Sequence, residues 1–109
     1  MRVWLIGADQ RGIEVLGQLE KNEDIQIVVS DPSPNPAAVQ EGVIQKVDHV
    51  ESVTPINVNT LARRFRPDLI LIDSSAESRS MARVTGGSAM SQALVYEIAA
   101  ASEYPCVVL

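Results

Sequence analysis

Short apolar runs alternate along this chain with stretches whose apolar residues recur every three or four positions. Val3, Trp4, Leu5 and Ile6 form the first run and stop at Gly7; an unbroken apolar stretch of this length predicts a strand covered on both faces. Residues 10–21 carry Ile13, Leu16 and Leu19 at helical spacing, with Glu14, Gln18 and Lys21 off that stripe and Asn22 as the expected stop. A second buried-type strand spans 25–29 and closes at Ser30, Asp31 and Pro32. Pro32, Pro34 and Pro36 then require an irregular turn. A short helix is expected over 36–41, with Pro36 at its first position and Gly42 after its last turn. Residues 43–47 predict a third, more polar strand.

The second half repeats the alternation. Residues 59–65 predict a short helix that must end before Pro67. Leu69, Ile70, Leu71 and Ile72, bracketed by Asp68 and Asp73, are the clearest strand in the chain. A polar, Ser-rich stretch follows over 74–80, and Gly86 and Gly87 break the chain. Ser88 is placed to cap a helix over 89–102, with Met90, Leu94, Ile98 and Ala101 as its buried stripe. Residues 105–109 form a last apolar strand. Five strands alternating with helices predict a parallel α/β sheet wound by right-handed crossovers, in strand order 3-2-1-4-5 with helices on both faces. At 109 residues the chain is read as one domain. A full two-half fold of this kind has six strands, so the sheet is expected to be completed or covered by something outside residues 1–109.

Charge narrows the partners. Nine basic against fourteen acidic residues give a formal charge of −5, which disfavours nucleic-acid binding through phosphates. The one basic cluster, Arg63, Arg64 and Arg66, reads as a solvated helix end. One cysteine, Cys106, permits neither an internal disulfide nor a cysteine-based metal site. The apolar runs are far shorter than the ~18 residues of a membrane span, and no leader-like segment opens the sequence. A cytoplasmic protein with no membrane insertion is expected.

The segment that carries chemistry is Gly7, Ala8, Asp9, Gln10, Arg11 and Gly12, set between the first strand and the first helix. A glycine-rich turn there offers free N–H groups and a positive helix dipole to a phosphate. Gly7 would make the tight turn and Gly12 would let helix and sheet approach. Asp31, 19 residues beyond Gly12, stands where a carboxylate can accept hydrogen bonds from an adenosine ribose. Asp9 occupies the position of the middle glycine of a G-x-G-x-x-G loop. Its carboxylate would sit beside two phosphate charges unless Arg11 or the helix N–H groups offset it. The structural alternative is that Asp9 caps the helix itself.

The opening strand, the Gly7–Gly12 loop, the helix and the run Ile27, Val28, Val29, Ser30, Asp31 resemble the KTN or RCK domains, the nucleotide-binding regulatory domains of potassium transport systems, within the wider class of NAD(P)-binding Rossmann domains. The strand 68–73 with its polar loop is similar in order. The resemblance implies a Rossmann-like three-layer sandwich and NAD or another adenine nucleotide as cofactor. It also implies that Gly7 and Gly12 line the pyrophosphate, Asp31 the adenine ribose, and the loop after Asp73 the nicotinamide side.

The remaining reactive residues are isolated. Ser74 and Ser75 could reach a phosphate or ribose at the carboxyl end of the sheet, or simply form a turn. His49, the one histidine, is expected at the surface. Cys106 reads as a buried apolar thiol and Trp4 as core. Asp68 and Asp73 lie at opposite ends of one strand. No nucleophile–base pair emerges, so the expected function is a nucleotide- or dinucleotide-sensing regulatory module with an altered phosphate loop and no catalysis of its own. Two alternatives stand beside it. One is a ligand-free interaction module that self-associates or takes further chain on the 105–109 edge. The other is the cofactor-binding part of a larger oxidoreductase or sugar-nucleotide enzyme.

Overall fold

A computed structural model describes residues 1–75 and 87–109, with side chains described for 1–75 and 93–109. Five parallel strands form one sheet in the order β3-β2-β1-β4-β5. They are β1 (Arg2–Ile6), β2 (Gln26–Asp31), β3 (His49–Val50), β4 (Leu69–Ile72) and β5 (Cys106–Val108). The helices are α1 (Gln10–Leu19), α2 (Ala37–Gln40), α3 (Val58–Phe65) and α4 (Gly87–Ala101). This is the expected α/β architecture and strand order, compatible with a Rossmann-like fold.

The alternation of side chains along β1 divides the core in two. Trp4 and Ile6 point to one face, where Val58, Leu61 and Phe65 of α3 and Val95 and Ile98 of α4 cover them with Ile70 and Ile72 of β4. Val3 and Leu5 point to the other, against Leu16 of α1, Ala38 of α2, Val29 and Leu71. Both faces of β1 are therefore sealed, which is why its sequence is apolar at successive positions. Trp4 is fully buried, and its indole N–H donates to Ser30 Oγ at 2.9 Å, so the one polar atom of the ring is satisfied.

The third strand departs from expectation. Residues 43–47 are not a strand; β3 is two residues long, His49 and Val50, and pairs only with Ser30 and Asp31. The apolar side chains of Val43 and Ile44 pack instead into the α1–α2 core, and their backbone N–H groups donate to Ala38 C=O at 2.9 and 3.2 Å. The Asp48 carboxylate takes the place of the missing strand by accepting the Val29 N–H at 2.8 Å. His49 is half-buried rather than exposed, and its ring stacks on Phe65 with centroids 4.4 Å apart.

The other boundaries shift by a residue or two. Pro36 stands as the N-cap of α2 rather than its first helical residue. α3 ends at Arg66, whose left-handed backbone (φ 52°) closes the helix before Pro67 can disrupt it. α4 begins at Gly87, ahead of the expected cap at Ser88, and Val95 joins Ile98 in the core. Gly86 and most of the 74–80 stretch lie outside the described residues, as do the side chains of Ser88 and Met90.

Replacing Asp48 by Ala leaves the part-buried Val29 N–H without its acceptor. The expected loss is about 1–3 kcal/mol in urea unfolding, against a loss within about 0.5 kcal/mol for Lys46→Ala on the neighbouring surface.

Candidate functional site

The β1–α1 turn sits at the carboxyl end of the sheet, where β1, β2 and β4 all finish. Gly7 has φ 88°, a left-handed conformation that favours glycine, and its N–H continues the ladder by donating to Ser30 C=O at 2.7 Å. The chain then turns across the ends of the two neighbouring strands. Each of those strands ends in a buried aspartate: Asp31 on β2 is 4% exposed and Asp73 after β4 is 0% exposed.

Both carboxylates turn inward and take the donors of the loop. Asp31 Oδ2 accepts the Ala8 N–H at 3.0 Å, and its Oδ1 accepts the Ser33 N–H at 2.9 Å. Asp73 Oδ2 accepts the Asp9 N–H at 2.9 Å and the Gly12 N–H at 2.7 Å. The other Asp73 oxygen accepts the Ser75 N–H at 2.9 Å and the Ser75 hydroxyl. A buried carboxylate is costly unless its oxygens are bonded. Here four donors and the positive end of α1 offset that cost.

The helix end is therefore capped from a distance. Asp9 holds the N-cap position of α1 and is 3% exposed, but its side chain makes no capping hydrogen bond. The alternative of Asp9 as its own cap is corrected: the capping oxygen belongs to Asp73, 61 residues beyond Gly12. Gly12 makes that approach possible. A Cβ at this position would lie 3.0 Å from Asp73 Oδ2 and 3.0 Å from Gly7 C=O. The glycine expected to serve close packing of helix and sheet also admits the carboxylate.

Ser75 is brought to the loop through Asp73, and the Arg11 N–H points toward its hydroxyl at 3.5 Å, longer than a good hydrogen bond. Ser74 turns away and donates to Leu109 C=O at 2.7 Å. Arg11 and Gln10 are exposed on the outer turn of the helix. Gly7, Asp9, Arg11, Gly12, Asp31 and Ser75 thus converge on one turn, and Ser74 does not join them. Asp68 lies at the far end of β4, accepting the Arg2 N–H at 2.8 Å.

The clefts described in this structure lie elsewhere. One of about 480 Å³ opens at the amino end of the sheet beside Arg2, Arg66 and Asp68. One of about 280 Å³ lies between Leu16, Ile27 and Ile44, with Lys46 and Asp48 on its rim. Among the described residues no group of three or more His, Cys, Asp or Glu could hold a metal ion. Cys106 is half-buried, and burial pushes its thiol up to about 11, away from nucleophilic use. No helix among the described residues is long and apolar enough to cross a membrane.

No protein-family model, curated protein or solved structure matches this chain.

Two glycines of α1 separate the packing claim from simple helix propensity. A methyl group added at Gly17 would meet nothing within 4 Å, whereas one at Gly12 would press on Asp73 Oδ2 and the Gly7 C=O, each at 3.0 Å. Gly17→Ala is expected to raise stability by about 0.5–1 kcal/mol, and Gly12→Ala to lower it by about 1–3 kcal/mol. Both are read from urea unfolding.

Proposed function

We propose that this chain is a Rossmann-like regulatory or assembly module that works through association rather than turnover, with the anion-binding end of its first helix filled by its own carboxylates. The observation that carries this reading is Asp73 Oδ2 on the Asp9 and Gly12 N–H groups. A pyrophosphate brought to the same turn would meet buried Asp9, Asp31 and Asp73, with Arg11 as the loop's one cation. Two like charges about 5 Å apart at an effective dielectric of 20 repel by roughly 3 kcal/mol. That is enough to offset much of what a helix N-terminus gives an anion.

A second reading keeps an adenine nucleotide, NAD included, as a regulatory ligand. It is supported by the outer turn, where the exposed Arg11 keeps its N–H only loosely engaged by Ser75. The resemblance of residues 1–31 to KTN or RCK domains points the same way, as does the place of Asp31 at the end of β2. A cytoplasmic setting belongs to both readings.

Thermal unfolding with NAD, NADH, NADP and ATP at millimolar concentration decides between them. A ligand at about 100 times its Kd adds roughly 2.7 kcal/mol and raises Tm by roughly 10 °C in a domain of this size. No rise is expected with any of the four. A rise with one of them overturns the first reading in favour of the second.

A further inference from the structure

We infer that the outer edge of β5, the last strand in the sheet order, is a self-association surface, on which two copies of this chain pair β5 to β5 about a twofold axis through Val107. This rests on the reading of the chain as an assembly module and names the partner. Toward β4, the Pro105 C=O accepts the Ile70 N–H and the Leu109 N–H donates to Ile72 C=O, each at 2.8 Å. Strand alternation then points the N–H and C=O of Cys106 and Val108 outward, away from β4. Among the described residues nothing bonds to those four groups.

The pattern is self-complementary. In an antiparallel pair centred on Val107, Cys106 of one copy lies opposite Val108 of the other. Each such pair exchanges two N–H···O=C bonds, so all four outward groups on both copies are satisfied at once. Val107, 50% exposed, falls on the axis and covers its counterpart. Cys106 and Val108 keep their side chains in the core they share with Ile98 of α4.

Charge selects this edge over the other. The chain carries −5, yet β5 has no charged residue, so two copies bring no like charges together across the seam. Natural sheets guard an open edge with charges or short strands. The β3 side does both: its strand is two residues long and flanked by Asp48 and Glu51. The β5 edge lacks the charges. A closed twofold pairing joins the two sheets into one of ten strands and leaves no second copy of the same edge open.

The test uses the whole chain with Cys106→Ser as background. Val107→Cys places two thiols at a non-hydrogen-bonded pair, with Cα atoms about 4.5 Å apart, within the range a disulfide spans. Val50→Cys, equally exposed on the opposite edge, is the control. Under mild oxidation the Val107 variant is expected to run as a covalent dimer and the control to remain monomeric. Sedimentation equilibrium of the unmodified chain is expected to give a dimer. Val107→Lys, which sets two ammonium groups on the axis, is expected to weaken it by tenfold or more, about 1.4 kcal/mol. Equal crosslinking of the two variants overturns the inference. So does a monomer at the highest concentration reached, or a dimer unchanged by Val107→Lys. Failure here leaves the nucleotide titration to judge the loop on its own, so the two proposals fall separately.

Discussion

One carboxylate fixes the carboxyl end of this sheet. Asp73 lies directly after the strand beside β1 and is fully buried. Its oxygens receive the N–H groups of Asp9, Gly12 and Ser75 together with the Ser75 hydroxyl. A buried ion held this way stabilises only while every donor stays in place, because removing a partner exposes the full desolvation cost. The neighbouring features follow from it. A side chain at Gly12 would crowd the carboxylate at 3.0 Å, α1 starts where its N–H groups meet Asp73, and Ser75 turns inward to it. Asp31 repeats the device on the other side by holding Ala8.

The arrangement uses an old property of helix ends in an unusual direction. An α-helix N-terminus beside a glycine turn favours negative charge whatever its source. A ligand phosphate would approach from solvent, whereas here the charge comes from the adjacent strand, within the core. The turn is braced by carboxylates of the fold itself, Asp31 on Ala8 and Asp73 on Asp9 and Gly12. What remains outward is the exposed first turn with Arg11 and Gln10.

Much of the fold is legible in the residues, and the exceptions have physical causes. β1 and β4 announce themselves because strands sealed on both faces must be apolar at successive positions, and β2 and β5 carry shorter apolar runs, Ile27 to Val29 and Cys106 to Val108. The stripe Ile13, Leu16 and Leu19 marks α1 for the same reason of burial. The segment 43–47 misleads because Val43 and Ile44 are apolar for packing against helices, not for pairing. Short apolar runs do not carry that distinction. His49 is half-buried against expectation because its ring partner, Phe65, is distant in sequence. At the site, the Gly7–Gly12 turn and Asp31 are visible from spacing. The capping role of Asp73 is not, since a contact between a loop and a residue 61 positions later leaves no local pattern. The one available signal is the acid set immediately after the most apolar strand.

The Asp73 charge holds the β1–α1 turn, and everything built on that turn stands or falls with it. The most direct measurement is urea unfolding of Asp73→Asn, which keeps the shape of the side chain and removes its charge. An amide cannot accept from all four donors, and hydrogen bonds to a charged group contribute about 1.5–3 kcal/mol each. A loss of roughly 2–4 kcal/mol is expected. A change of less than about 0.5 kcal/mol, the range of an ordinary surface substitution, would contradict the account.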